Sequence, residues 1–81
     1  MDKRSAISWV KEIVPKEDLM KVIEKGEEYT DTFEHRGKTV VLTVQKDYDD
    51  PSKLEVMFSK SRGGEYHFSL TLRELGIRQA R

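Results

Sequence analysis

Two short segments of the chain place arginine next to glycine: HRGK at residues 35–38 and KSRGG at residues 60–64. Guanidinium and ammonium groups bind phosphates and carboxylates through charge-assisted hydrogen bonds. Four cations in and beside these segments therefore form a candidate binding site, which we call the basic rim: Arg36, Lys38, Lys60 and Arg62. His67, a few residues further along the chain, is a fifth candidate binding residue.

Signals for catalysis or metal binding are weak. His35 and His67 are of a type that titrates near neutrality, but no serine has nucleophile-elbow spacing and no glycine-rich phosphate motif is present. The lack of cysteine excludes thiol catalysis, disulfides and cysteine-ligated zinc. The acidic segment DYDDPS, residues 47–52, lacks the central glycine and closing glutamate of an EF-hand loop. We therefore predict a non-enzymatic protein with no catalytic residue, metal site or cofactor.

Length and charge narrow the class of protein. The 81 residues predict a single domain, residues 1–81, near the lower size limit for one apolar core. Fifteen basic and fifteen acidic side chains give a net charge of zero, so no general attraction to polyanions is expected. No stretch resembles a signal peptide or a membrane span, which together with the missing cysteine predicts a cytoplasmic protein without a membrane partner.

The elements that would position the basic rim begin with two short helices. Apolar residues recur at helical spacing in residues 5–14 and 16–25. Ser5 is a suitable N-cap for the first helix, and Pro15 separates the two because it has no N–H to donate. Gly26 fits the position that ends the second helix.

From residue 28 onward the apolar period changes to two, which predicts strands over residues 28–35, 38–46, 53–60 and 65–72. The predicted fold is α+β, with two short N-terminal helices packed on one face of a four-stranded antiparallel meander sheet. The opposite face is then open and mainly polar, with Thr39, Thr43, Glu55, Ser59, Ser69 and Thr71. Beyond the sheet, the spacing of Thr71 and Glu74 predicts a capping box, and Gly76 can close a single helical turn.

Turn preferences specify the two arginine-containing corners. Phe58 opposite Tyr66 leaves residues 61–63 as a three-residue loop with a left-handed Gly63. The same device at residues 35–37 places Arg36 and Arg62 about 10 Å apart at one end of the sheet. It also turns Tyr29 and Phe33 away from the core, as part of a second apolar patch with Val41 and Met57. A tighter Arg36-Gly37 loop would turn both aromatic residues inward but requires a positive φ at Arg36.

The segment ISWVKEIVPKEDLMKVIEKGE, residues 7–27, followed by strands, is similar to the helical lead-in of the small BrnT- and RelE-like ribonuclease toxins. The similarity covers about the first third of the chain, and the leading strand of RelE-type folds is absent. It implies that basic and histidine side chains on the sheet cut RNA, with Arg36, Lys60, Arg62 and His67 in those roles.

The sequence favours a binding domain that acts through a protein partner, as a regulator, adaptor or inhibitor does. The expected contact surfaces are the open sheet face and the basic rim, and self-association through the open face is a further expectation. The alternative is a nucleic-acid-binding or toxin-like protein that uses the basic rim. Base stacking on the sheet is disfavoured because Phe58, Tyr66 and Phe68 share the face of the aliphatic core residues.

Overall fold

The computed structural model of the protein describes residues 1–78, so residues 79–81 of the predicted domain lie outside the described part. Two helices precede four strands: α1 (Lys3–Ile13), α2 (Lys16–Lys25), β1 (Tyr29–His35), β2 (Lys38–Lys46), β3 (Lys53–Lys60) and β4 (Gly64–Thr71). The strands form one sheet in the order β1-β2-β3-β4, and all neighbours are antiparallel. The predicted fold class, two helices on one face of a meander sheet, is confirmed.

The helix boundaries follow local capping chemistry. The N-cap of α1 is Asp2, whose carboxylate accepts a hydrogen bond of 2.9 Å from the backbone N–H of Ser5. The predicted Ser5 cap is therefore wrong, because a carboxylate caps a helix at least as well as a hydroxyl and its charge also favours the helix N-terminus. α1 ends before Pro15, and α2 ends at Gly26 with a left-handed φ of 67°. Both predictions of helix ends are confirmed.

The core lies between the helices and one face of the sheet. α1 contributes Ala6 and Val10 and α2 contributes Leu19 and Val22, all almost fully buried. The strands contribute the alternate apolar residues: Val40, Leu42, Val44, Leu54, Val56, Phe58 and Leu70. Trp9 of α1 packs edge-on against the rings of Phe33 and Phe58, with centroid distances of 5.2 and 5.6 Å. This aromatic contact fixes which face of the sheet the helices cover.

The first hairpin adopts the tighter of the two loops that the sequence left open. His35 pairs with Lys38, so the loop contains only Arg36 and Gly37, with φ of 52° and 75°. Positive φ at both central residues is the type I′ turn, which matches the twist of paired strands. Of the two alternatives, the three-residue HRG loop is therefore ruled out, and Tyr29 and Phe33 lie on the core face. The predicted second apolar patch loses its two aromatic members.

The second arginine-containing corner has the predicted length. Phe58 pairs with Tyr66 and Lys60 with Gly64, which leaves residues 61–63 as the loop. The positive φ of 97° belongs to Gly64, however, so the prediction of a left-handed Gly63 is wrong. Gly63 is limited by space instead, because a Cβ there would lie 3.2 Å from the Cβ of Lys60.

The segment after β4 forms a single turn fixed at several points. The backbone N–H of Thr71 donates to Glu74 Oε1 at 2.9 Å, and the N–H of Glu74 donates to Thr71 Oγ1 at 3.0 Å. These reciprocal bonds are the predicted capping box, which is confirmed. The N–H of Ile77 donates to the carbonyl of Leu72 at 2.8 Å, and Lys3 Nζ lies 3.0 Å from Glu74 Oε2. The turn is thereby joined to the start of the chain.

Candidate functional site: the open face of the sheet

The face of the sheet opposite the helices is the candidate site, and we call it the open face. Because side chains alternate along a strand, it carries the residues between the buried core positions. Its members are Thr30, Thr32, Glu34, Thr39, Val41, Thr43, Gln45, Lys53, Glu55, Met57, Ser59, Glu65, His67, Ser69 and Thr71. All of them are exposed or half-buried, whereas the apolar residues at the alternate positions of β2 and β3 are fully buried.

Strand register arranges the open face in rows. One row runs across all four strands as Thr30, Thr43, Met57 and His67, and the next as Thr32, Val41, Ser59 and Glu65. Val41 and Met57 are half-buried and lie diagonally on neighbouring strands, within reach of each other's side chains. The centre of the open face therefore combines two apolar side chains with short hydroxyl-bearing ones. The short side chains at this centre lose little conformational entropy when another surface packs against them.

Carboxylates surround this centre. Glu34 and Glu65 lie toward the end with the arginine-containing turns, and Glu55 lies toward the opposite end. Glu34 Oε1 accepts a hydrogen bond of 2.8 Å from Thr39 Oγ1, and Glu65 Oε2 lies 3.6 Å from His67 Nε2. The charge on the open face is therefore mainly negative, which is opposite to that of the basic rim.

The residues of the basic rim lie on different surfaces of the molecule. Meander topology brings the turns of Arg36 and Arg62 to the same end of the sheet. Ser61 joins that corner to β2, since its N–H donates to the Thr39 carbonyl at 3.0 Å. Lys60 lies on the helix-covered side, with Nζ 5.3 Å from the centroid of the Tyr66 ring. Lys38 is on that side too, and His67 is on the open face.

The histidines do not form a common site. His35 lies on the core face of β1, and its ring centroid is 4.6 Å from that of Trp9. His67 is on the other face, where its Nε2 lies near Glu65 Oε2. Within residues 1–78, no group of three or more His, Cys, Asp or Glu side chains is placed to hold a metal ion.

The acidic turn after β2 uses its own carboxylates. Asp47 Oδ1 accepts from the backbone N–H groups of Asp49 and Asp50, at 2.9 and 3.1 Å. Asp50 Oδ1 accepts from both the hydroxyl and the N–H of Ser52, and these hydrogen bonds lower the pKa of Asp50 below its ordinary value. The carboxylates therefore stabilise the turn, as Asx-turn chemistry does elsewhere.

One tyrosine also has a shifted pKa. Burial of its side chain raises the pKa of Tyr29 above its ordinary value. The hydrogen bond that the Tyr29 hydroxyl donates to Asp31 Oδ2, at 3.2 Å, acts in the same direction. Tyr29 lies on the core face, so this shift belongs to the packing of β1 and not to the open face.

The sequence identified part of this site. Thr39, Thr43, Glu55, Ser59 and Ser69 were expected on the open face, and their places in the register agree. Thr30, Thr32 and Glu34 were missed, because the sequence left the loop of the first hairpin, and with it the register of β1, open. Thr71 was also expected there; the register places it on this face opposite Lys53, and it takes part in the capping box as well. Trp9 contacts Phe33 of β1 and Phe58 of β3. These contacts go with the register that places Phe33 on the core face.

Comparison with models of protein families, with curated proteins and with solved structures gave no match. None of the helices within residues 1–78 has the length and apolar character needed to cross a lipid bilayer. Fold and site together therefore define only a structural class: a small α+β domain whose meander sheet has helices on one face and a hydroxyl-rich surface on the other.

Proposed function

We propose that this protein is a non-enzymatic binding domain whose open face docks a protein partner, in the manner of a regulator, adaptor or inhibitor. The observation that carries the proposal is the half-buried pair Val41 and Met57 within a field of small hydroxyl-bearing side chains. Interfaces between proteins commonly have an apolar centre inside a polar surround. The open face has this arrangement on a four-stranded sheet.

The charges favour a protein over a nucleic acid at this face. Glu34, Glu55 and Glu65 repel a phosphate backbone, and the described strands place no Phe, Tyr or Trp ring there for base stacking. The same glutamates attract lysine and arginine side chains of a protein. We therefore expect a partner with basic residues around an apolar or hydroxyl-bearing centre.

The size of the open face sets the strength of the contact. Four strands about 4.8 Å apart and about 25 Å long present a projected area of roughly 500 Å². Specific interfaces commonly bury about 800 Å² of each partner, so the open face alone is at the small end of the range. We expect a reversible complex, to which the neighbouring basic rim can add contacts. The cysteine-free composition favours the cytoplasm as the place of this binding.

Site-specific photo-crosslinking tests the proposal. A photoreactive residue is placed at Thr30 or Ser69 on the open face, and at Lys21, an exposed position of α2, as the matched control. In a lysate of the source organism, the two open-face positions should give the same protein adduct, and the Lys21 position should not. Excess unlabelled protein should suppress the adduct, whereas excess Thr43→Arg protein should not.

Two outcomes would overturn the proposal. An adduct formed equally from the Lys21 position, or suppressed equally by the Thr43→Arg protein, means that capture does not depend on the open face. An adduct with a second copy of the chain would mean that the open face mediates self-association and does not bind a separate partner.

A second candidate function is nucleic-acid binding by the basic rim, including the RNA cleavage that the toxin-like lead-in implies. It is favoured by one observation: within residues 1–78, Arg36, Lys38 and Arg62 form no ion pair that would neutralise them. Lys60 engages only the face of the Tyr66 ring, an interaction that leaves its charge in place. The open-face glutamates limit such binding to the turn end of the sheet.

A further inference from the structure

A groove of about 570 Å³ opens between α2 and the C-terminal turn, at the end of the sheet away from the basic rim. Its base is formed by Leu54, Leu72 and Ile77, which are almost completely buried. Met20 and Ile23 of α2 form one wall and are half-buried. This volume lies within the range of about 300–1,000 Å³ that is usual for small-molecule sites.

Cations dominate the edge of this groove. Lys46, Lys53 and Arg78 line it, against the single carboxylate of Glu24. Lys53 Nζ lies 3.8 Å from Asp50 Oδ2, so that charge is partly balanced. In the part of the chain that the structure describes, Lys46 and Arg78 form no ion pair. The groove therefore combines an apolar base with positive charge that has no partner at its mouth.

The walls of the groove are held in place without a ligand. The capping box of Thr71 and Glu74 fixes one side, and the bond from the Ile77 N–H to the Leu72 carbonyl fixes the turn that follows. The ion pair of Lys3 with Glu74 attaches this turn to α1. A site that is already formed loses less free energy to ordering when a ligand binds.

We propose that this groove binds a medium-chain carboxylate, with its hydrocarbon tail against Leu54 and Ile77 and its carboxylate between Lys46 and Arg78. The apolar base selects for the tail, because burial of each methylene group strengthens binding. The excess of positive charge selects for an anionic head over a neutral or cationic one. The groove lies on the helix side of the sheet, so the proposal is independent of partner docking at the open face.

A chain-length series in the full protein tests the tail. Octanoate and decanoate are titrated into protein with labelled isoleucine, leucine and methionine methyl groups, below the concentrations at which they form micelles. Shifts should concentrate at Met20, Ile23, Leu54 and Ile77. Burial of two further methylene groups should tighten binding by about 15-fold from octanoate to decanoate, at about fourfold for each.

The head group is tested with decanol, decyltrimethylammonium and two variants. Decanoate should bind more tightly than either probe. Lys46→Gln should weaken decanoate several-fold and leave decanol unchanged, whereas Lys21→Gln, on the exposed surface of α2, should change neither. The proposal is wrong if decyltrimethylammonium binds as tightly as decanoate, if methyl shifts appear outside the groove, or if Lys46→Gln affects decanol and decanoate alike.

Discussion

The indole of Trp9 stands edge-on against the ring of Phe58, with centroids 5.6 Å apart and planes inclined at 76°. Phe58 is fully buried beneath α1, and the next residue back along β3, Met57, points to the open face and is half-buried. Adjacent residues of one strand thus separate the two surfaces of this protein: the core that folds it and the face that we propose binds a partner.

This separation predicts unequal costs of truncation at adjacent positions. Phe58→Ala should lower the free energy of unfolding by about 3–5 kcal/mol, since it removes a fully buried ring and leaves a cavity. Met57→Ala should cost about 1 kcal/mol or less, because the side chain is only half-buried. Denaturant unfolding of both variants gives the comparison. Equal losses would mean that the open face is as buried as the core.

The Phe58→Ala variant can fail to fold, because the free energy of unfolding of a chain of this length is only about 4–12 kcal/mol. Phe58→Leu serves as the milder variant and should still cost more than Met57→Ala. The comparison of the two positions is therefore measurable with Phe58→Leu and Met57→Ala even if Phe58→Ala does not fold.

The first turn predicts a stabilising substitution. Arg36 has a φ of 52°, a conformation that costs most L-residues about 1–2 kcal/mol and that asparagine tolerates best among non-glycine residues. Arg36→Asn should therefore raise the free energy of unfolding by about 0.5–1 kcal/mol, as Asn-Gly is the preferred type I′ pair. Arg62→Asn, where φ is not positive, is the matched control for loss of one arginine. A rise in the free energy of unfolding with both variants would mean that the loss of a positive charge, and not the turn conformation, is stabilising. No rise with Arg36→Asn would refute the turn assignment.

The capping box predicts a dependence of stability on pH. The hydrogen bond from the Thr71 N–H, followed by the contact with Lys3, lowers the pKa of Glu74 below its ordinary value. A carboxylate with a lowered folded-state pKa stabilises the protein above its unfolded-state pKa, about 4.3, and loses this contribution as the pH falls through the folded-state value. Glu74→Gln should thus be less stable than wild type at pH 7, and the difference should shrink in acid.

Thermal unfolding between pH 7 and pH 3 measures this difference. Glu12→Gln, at an exposed position of α1, controls for the loss of one negative charge. A gap between wild type and Glu74→Gln that is the same at both ends of the pH range would show that the carboxylate charge of Glu74 is not the stabilising group.

The basic rim predicts salt-sensitive binding if the second candidate function holds. Single-stranded RNA should bind more weakly as salt rises, because counterions are released from the phosphates on binding. The Arg36→Gln/Arg62→Gln variant should bind more weakly at low salt and show a shallower salt dependence. Fluorescence anisotropy at several salt concentrations measures both. Absence of binding at low salt, or equal affinity of the variant, would eliminate this function.

Much of the fold was accessible from the sequence, because each element has a local signal. Pro15 separates the helices, the alternation of Val40, Leu42 and Val44 marks a strand, and Thr71 with Glu74 makes a capping box. Each of these features depends on residues that lie within a few positions of each other in the sequence. Contacts across the chain were needed for the remainder.

The first hairpin shows why local preference was insufficient there. The positive φ at Arg36 costs about 1–2 kcal/mol, and this cost favoured the three-residue loop in the prediction. The two-residue loop instead places Tyr29 and Phe33 on the core side, where both are half-buried. Full burial of one large apolar side chain is worth about 1.5–3 kcal/mol, so two half-buried rings together offset a cost of this size. The contact of Phe33 with Trp9, distant in sequence, therefore outweighs the turn preference. Because the sequence left the register of β1 open, its contribution to the open face was missed.

The most direct test of partner docking is the affinity of the crosslinked protein, once identified by mass spectrometry and purified, for wild type and for Thr43→Arg. Isothermal titration calorimetry should show a loss of at least about 30-fold, since a long charged side chain at the centre of the open face blocks close packing, or about 2 kcal/mol. Lys21→Glu on α2 should bind within about twofold of wild type, and both variants should keep the wild-type melting temperature within about 2 °C. Unchanged affinity of a folded Thr43→Arg protein would contradict docking at the open face.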